Sequence, residues 1–123
     1  MPNAVDTAQF RNLAQMFFAV ADARGDRPFA WAKREGQWRA TSWAAAAADA
    51  RALALALRAL GVRAGDRVVL VSENRPEWGM ADVAIMAAGA VSVPAYVTNT
   101  VADHRHILTD CAARAAIIST PRL

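Results

Sequence analysis

The 123-residue sequence contains one cysteine and no glycine-rich loop of the kinds that cradle phosphates. A single cysteine, Cys111, excludes an internal disulfide and a cysteine metal site. Proteins of reducing compartments use cysteine in this way, so we expect a cytoplasmic location. The absence of G-x-G-x-x-G and Walker patterns excludes the usual nucleotide-phosphate sites from this stretch of chain.

Long apolar runs are absent too. Asp49, Arg51 and Arg58 interrupt the alanine-rich segment, and Pro94 interrupts residues 83–97, so we expect no transmembrane segment. The apolar residues that begin at Met16 include an A-x-A pattern, but they lack the charged start of a secretory signal and fit a helix face better.

Blocks of one charge sign are also missing. The net charge is +3 and the pI is near 10, but the basic residues are almost all arginine, scattered and not interleaved with aromatic residues. We therefore expect no nucleic-acid binding. A hydrophobic content of 55% with 20% charged residues instead indicates about one folded α/β or α-rich domain.

Two helices are predicted in the first half of the chain. One runs over residues 12–25, where Asn12 and Gln15 have the spacing of a capping box and Gly25 supplies a left-handed stop. The other covers residues 43–60, and it begins after a cap at Thr41 or Ser42. The predicted apolar stripe of this second helix consists of Leu53, Leu57 and Leu60.

Residues 28–41 predict a hairpin between these helices. A turn at Glu35 and Gly36 makes Lys33 face Trp38. This register places on one face Phe29, Trp31, Lys33, Trp38 and Ala40. Such a face is also typical of a sugar or lipid platform, but we interpret it as the cover of a neighbouring core, with a modest cation–π contact between Lys33 and Trp38.

The second half of the chain alternates strands with helices. We predict strands at 67–72, 91–94 and 115–119, and helices at 77–90 and 101–112. The first strand, "RVVLVS", is apolar on both faces, and the short crossovers predict parallel β-α-β units. A capping box is predicted at Thr100 and Asp103. The predicted fold class is α/β, with a β-hairpin, a long Ala-rich helix and parallel β-α-β units.

Polar residues follow two of these strands at the point where ligands bind in open parallel sheets. Ser72, Glu73 and Asn74 follow the first strand, and Thr98 and Asn99 follow the second. These five residues are the candidate crevice. The alternative is helix initiation, because Asn74 and Glu77 have the spacing of a capping pair and proline is favoured in a first turn. Pro76 also disfavours helical dihedrals at Arg75, which makes Arg75 the other candidate cap.

Histidine and cysteine residues cluster in the last predicted helix. His104 shares a face with Ile107, Leu108 and Cys111, whereas His106 lies on another face, near Asp103 and Asp110. These groups supply too few ligands for a metal, and Cys111 is two turns from His104, too far for proton transfer. We interpret them as structural residues and predict no metal site.

Several phrases of the sequence occur in the order and spacing of a known family. They are "RPFAWAKREGQWRATSW", "GVRAGDRVVLVSENRPEW" and "AAGAVSVPAYVTNTVADHRHILTDCAARAAIIST". Over nearly the whole chain these phrases resemble the amino-terminal part of the AMP-forming acyl-CoA synthetases. "SENRPEW" and "AGAVSVPAYVTNT" are similar to the long-chain fatty acid–CoA ligase branch.

The resemblance implies a ligase that activates a fatty acid with ATP and Mg²⁺ and then passes the acyl group to coenzyme A. The family's phosphate loop, magnesium ligand, ribose aspartate and mobile lysine lie downstream of the matched region. The resemblance therefore implies no catalytic, cofactor-binding or metal-binding residue in this chain. We expect residues 1–123 to be an incomplete amino-terminal portion of the AMP-binding (adenylation) domain, inactive by itself.

Two further expectations accompany this resemblance. Sheet faces that lack their covering layers should make the chain weakly soluble alone, while peripheral contact of the enzyme with a membrane is left open. The alternative function is a standalone half-domain that binds a partner through its open edge or its Trp31 and Trp38 face, without catalysis.

Overall fold

The fold combines a β-hairpin, a parallel sheet and four helices, and the computed structural model describes residues 6–123. After a 3₁₀ turn at Thr7–Gln9 the elements are α1 (Leu13–Arg24), β1 (Pro28–Arg34), β2 (Gln37–Ser42), α2 (Trp43–Ala59), β3 (Arg67–Val71), α3 (Pro76–Ala87), β4 (Val91–Ala95), α4 (Val101–Asp110) and β5 (Ala115–Ile118). Each strand and α-helix lies within three residues of its predicted bounds. The α/β fold class is confirmed.

Helix α1 begins as predicted, with one change of partner. The side chain of Asn12 accepts a hydrogen bond from the backbone N–H of Gln15 at 2.8 Å. The Gln15 side chain reaches the N–H of Arg11 instead of that of Asn12, so the reciprocal half of the capping box is displaced by one residue. Gly25, at φ 51°, ends the helix in the left-handed region that glycine tolerates.

The hairpin strands pair around the turn in the predicted register, but the tryptophan face does not cover the core as predicted. Arg34 pairs with Gln37 and Lys33 with Trp38. The two turn residues, Glu35 and Gly36, both have positive φ, as a type I′ turn requires.

The prediction that the tryptophans cover a core is wrong, because Trp31 is 58% exposed and Trp38 is 66% exposed. Register shifts between Pro28 and Ala30, which leaves Phe29 as the extra residue of a bulge. Phe29 then packs on the core, with its ring 5.8 Å from that of Phe17. The sequence pattern predicts a regular strand, and so it assigns Phe29 to the wrong face.

Within residues 6–123 the cation–π contacts also involve other residues than the predicted pair, Lys33 and Trp38. Arg24 sits over the ring of Trp43 at 5.5 Å, and Arg51 over that of Phe18 at 4.6 Å. Both arginines extend from helices across the aromatic cluster, which consists of Phe17, Phe18, Phe29 and Trp43. The predicted contact of Lys33 with Trp38 is not formed.

Helix α2 packs through alanines. Ser42 is its cap, accepting from the N–H of Ala45 at 3.1 Å. The predicted stripe is only partly correct, because Leu57 is buried but Leu60 is 77% exposed. The buried face is formed by Ala46, Ala47, Ala50, Ala54 and Leu57. Small side chains let α2 approach α1 and α3 closely, and the leucine spacing alone does not reveal this.

The parallel sheet has the strand order β4-β3-β5. Its central strand β3 contributes Val68 and Leu70 to the main core, where they meet Ile85 of α3. Parallel pairing is confirmed, and it places the carboxyl ends of all three strands at one edge of the sheet.

Helix α4 carries the predicted capping box. Thr100 accepts from the N–H of Asp103 at 3.2 Å, and Asp103 accepts from the N–H of Thr100 at 2.8 Å. These hydrogen bonds lower the pKa of Asp103. His104 is half-buried, but α4 buries none of its residues and contributes none to the core, so the predicted position of His104 at the edge of a core is not confirmed.

Candidate functional site

A cleft of ≈ 520 Å³ lies beyond the carboxyl ends of β3 and β4. It is lined by Ser72, Glu73, Asn74, Trp78, Pro94, Ala95, Tyr96 and Val97. Its position is the one that the parallel topology predicts for a ligand.

The structure brings together three of the five candidate residues. Ser72, Glu73 and Asn74 line the cleft, whereas Thr98 and Asn99 are not among its lining residues. The chain turns after β4, with the N–H of Asn99 donating to the carbonyl of Tyr96 at 3.2 Å. Because of this turn, Tyr96 and Val97, the residues nearest the end of β4, line the cleft in place of Thr98 and Asn99.

Two aromatic residues of this cleft escaped the sequence reasoning. Tyr96 is 80% exposed directly after β4, and Trp78 is half-buried in the first turn of α3. An aromatic residue immediately after a parallel strand was the available signal, since strand ends are where ligands bind. With Pro94 and Val97 they give the cleft a mainly apolar wall.

A second cleft, of ≈ 450 Å³, lies between the hairpin and the start of α3. It shares Glu73 and Asn74 with the first cleft and adds Lys33, Arg34 and Trp38 from the hairpin. The segment after β3 thus forms the partition between two neighbouring depressions.

The segment from residue 72 to 77 does turn a strand into a helix. Arg75 is the helix cap, with extended dihedrals of φ −155° and ψ 156°, and Pro76 is the first helical residue. The steric effect of proline on the preceding residue therefore decided between the two candidate caps. No side chain caps this helix, so the predicted capping role of Asn74 is wrong.

Glu77 joins the hairpin to this junction. Its carboxylate accepts from the Arg75 guanidinium at 3.0 Å and forms an ion pair with Arg34 of β1. The hydrogen bond from Arg75, followed by a smaller one from Arg34, lowers the pKa of Glu77 from 4.5 to about 2. The same contact raises the pKa of Arg75. The Glu77 carboxylate is therefore ionised, and it links β1 to the start of α3.

Glu73 makes a similar link between the segment after β3 and the segment after β5. Its carboxylate accepts a short hydrogen bond from the Ser119 hydroxyl, which follows β5. That bond lowers the pKa of Glu73. The Ser72 hydroxyl donates to the Glu73 carbonyl at 2.9 Å, which holds the first residues after β3.

These contacts decide what the site can do chemically. Both carboxylates are bonded to neighbouring protein groups, and residues 6–123 contain no group of three or more side chains suited to a metal ion. The donor set therefore does not fit Mg²⁺, and a carboxylate at the partition opposes a triphosphate. The arrangement is suited to shaping a cleft wall.

Comparison with known proteins assigns the fold to a class of enzymes. Residues 17–123 match the AMP-binding enzyme family, and the chain belongs to that family. Among the described residues no helix is long and apolar enough to cross a membrane.

The chain is similar to the long-chain-fatty-acid–CoA ligase FadD15 of Mycobacterium tuberculosis. The two are 40% identical over 115 residues, which are 92% of this chain and 19% of the ligase. The chain thus spans about a fifth of the length of this relative.

Two solved structures share the architecture. A benzoate CoA ligase from Burkholderia xenovorans superposes with a TM-score of 0.79 at 31% identity, covering 89% of this chain and 22% of that one. A fatty acid AMP ligase from Legionella pneumophila gives a TM-score of 0.82 at 19% identity, covering 94% and 21%. The second likeness shows the fold alone.

Proposed function

We propose that this chain forms the amino-terminal part of the AMP-binding domain of a cytoplasmic long-chain fatty acid–CoA ligase. The observation that carries the proposal is the 40% identity to FadD15 over 92% of the chain. The whole enzyme would join a fatty acid to AMP, releasing pyrophosphate from ATP, and would then form a thioester with coenzyme A while AMP leaves.

Within that enzyme these residues would act as a framework. The cleft beyond β3 and β4 has an apolar wall from Trp78 and Tyr96, and Glu73, another of its lining residues, is held by a hydrogen bond from Ser119. ATP, Mg²⁺ and coenzyme A would be held by residues outside this chain, because the carboxylates here are already bonded to protein groups. We therefore propose that the chain has no adenylation activity by itself.

A graft tests the framework role. The matching stretch of FadD15 is replaced by this chain, and fatty-acid-dependent exchange between ATP and pyrophosphate is measured with palmitate. We expect the graft to retain exchange, since it restores the same sheet and cleft. A matched graft that carries Leu70→Asp should lose activity, because Leu70 is fully buried at the centre of the sheet.

A graft that is folded but inactive would overturn the proposal. Folding is judged from a cooperative thermal transition by circular dichroism, with intact FadD15 as the reference. The chain alone, assayed with the same reagents, should show no exchange, and detectable exchange would contradict its proposed inactivity.

The second candidate function is that of a binding module without catalysis. The observation in its favour is that Trp31 and Trp38 are both more than half exposed on one hairpin. Sedimentation velocity and urea unfolding of the isolated chain discriminate between the two functions. A monodisperse, cooperatively unfolding chain favours the module, and aggregation favours the framework part.

A further inference from the structure

The outer part of the hairpin, residues 31–40, buries little of its surface. We call it the hairpin tip. Every residue of the tip except Ala32 is exposed, and none belongs to the core. A segment with so few buried apolar groups is held only weakly by packing. Its position therefore depends on the polar contacts that it makes.

Those polar contacts reduce to one ion pair. Among residues 6–123, the pair of Arg34 with Glu77 is the one side-chain hydrogen bond or salt bridge that joins the tip to another element. The pair of Arg39 with Glu35 lies within the tip itself and does not hold it to the body. The tip is thus attached to the start of α3 at a single point.

The base of the hairpin is fixed, unlike the tip. The ring of Phe29 lies 4.9 Å from that of Trp43, and the backbone N–H of Trp43 donates to the carbonyl of Arg27 at 3.0 Å. The bulge at Phe29 interrupts the pairing of β1 with β2 between base and tip. A strand bends at a bulge, so the tip can swing about this position while the base stays packed.

Both partners of the ion pair stay satisfied when it breaks. Glu77 keeps the hydrogen bond from Arg75 at 3.0 Å, and the Arg34 side chain is already 51% exposed to water. Exposed pairs of this kind contribute little, so losing one shifts an equilibrium by about two- to fivefold. The closed and open arrangements of the tip are therefore close in free energy.

We propose that the hairpin tip is a movable flap over the second cleft, held closed by the pair of Arg34 with Glu77. The tip forms one wall of that cleft, and Glu73 and Asn74 belong to the other. Opening the flap widens the second cleft and uncovers one side of the partition that the two clefts share. Because the pair is exposed, dissolved salt screens it, and the flap responds to ionic strength.

The proposal goes beyond the ligase framework and does not depend on it. It rests on the contacts of the hairpin with α3, so a rigid tip would leave the grafting test of the proposed function unaffected. A graft that is folded but inactive, conversely, would leave the flap proposal intact.

The distance between two spin labels on the 123-residue chain tests the proposal. Gln37→Cys labels the tip and Thr98→Cys labels the exposed turn beyond the first cleft, with Cys111→Ser removing the native thiol. Pulsed electron paramagnetic resonance should show a shorter, closed distance and a longer, open one. Raising sodium chloride from about 0.1 M to about 1 M should increase the ratio of open to closed chains by about twofold or more.

Variants of the ion pair assign the opening to this contact. Arg34→Gln and Glu77→Gln should each raise the ratio of open to closed chains by about two- to fivefold and remove most of its response to salt. The two changes combined should raise it no further than either alone, because both remove the same interaction.

Two matched controls remove neighbouring contacts and leave this pair in place. Arg75→Gln takes away the other partner of the Glu77 carboxylate, and Glu35→Gln breaks the pair within the tip. Neither should raise the open fraction. Circular dichroism checks that each variant is folded.

A single distance that neither salt nor the variants of Arg34 and Glu77 alter would overturn the proposal. Opening by Arg75→Gln to the same extent as by Arg34→Gln would also overturn it, because the junction as a whole, rather than the contact with the hairpin, would then set the distance.

Discussion

The guanidinium of Arg34, the last residue of β1, forms an ion pair with the carboxylate of Glu77 in the first turn of α3. These residues are 43 positions apart in the sequence. Arg75, the cap of the same helix, donates to the other oxygen of that carboxylate. Glu77 therefore links the hairpin to the strand-to-helix junction that borders both clefts.

Loss of this carboxylate should destabilise the junction. Glu77→Gln keeps the shape of the side chain but removes its charge from Arg34 and Arg75. Because the Glu77 side chain is 42% exposed, solvent screening limits the expected loss to roughly 0.5–1 kcal/mol in the free energy of unfolding. Urea denaturation at low salt measures it.

Glu35→Gln is the matched control for this variant. The Glu35 side chain is 87% exposed and its pair with Arg39 is longer, at 3.5 Å. It should change stability by no more than about 0.3 kcal/mol. Equal losses for the two variants would contradict the special role of Glu77.

Stability should also decrease in acid through Glu77. The folded pKa of about 2 is below the ordinary value of 4.5, so the stabilisation is fully present above pH 4.5 and is lost as pH falls through the folded pKa. The difference in urea midpoint between the wild-type chain and Glu77→Gln should therefore shrink steadily below pH 4.5. A difference that stays constant down to about pH 2 would show that the carboxylate is not the titrating group.

The alanine face of α2 should not tolerate larger side chains. Ala50 is fully buried, and α2 packs closely against α1 and α3 through its alanines. Ala50→Leu should cost about 1–3 kcal/mol by overpacking. Ala48→Leu, on the exposed side of the same helix, should stay within about 0.5 kcal/mol of the wild type. Thermal unfolding of the pair checks both, and a similar cost at the two positions would refute the packing assignment.

The start of α4 should depend on Thr100. Its hydroxyl accepts from the backbone of Asp103 and donates to that residue's carboxylate. Thr100→Ala should lower the free energy of unfolding by about 1 kcal/mol through loss of the cap. Thr98→Ala, in the exposed turn two residues earlier, should have an effect within about 0.5 kcal/mol. An equal effect at the two threonines in urea denaturation would argue against the capping box.

Local patterns predicted most of the elements because their physical causes are local. The turn at Glu35 and Gly36, the cap at Ser42 and the capping box at Thr100 each depend on residues within a few positions of one another. The parallel sheet followed from strands that are apolar on both faces. The resemblance to acyl-CoA synthetases led to the family that residues 17–123 match.

Features that depend on contacts between distant residues could not be predicted in this way. The bulge at Phe29 is set by the aromatic cluster, and it left Trp31 and Trp38 exposed. The ion pair between Arg34 and Glu77 joins residues that are 43 positions apart in the sequence. The turn after β4 decided that Tyr96, rather than Thr98 or Asn99, lines the cleft. The absence of catalytic residues from this chain stays a prediction.

The central claim is that these residues are the amino-terminal part of a long-chain fatty acid–CoA ligase, and the reading frame beyond the codon for Leu123 tests it most directly. The transcript is sequenced past that codon. The account predicts that the frame continues into a Ser/Thr/Gly-rich phosphate loop and, far downstream, a mobile-domain lysine. A stop codon directly after Leu123 would contradict it.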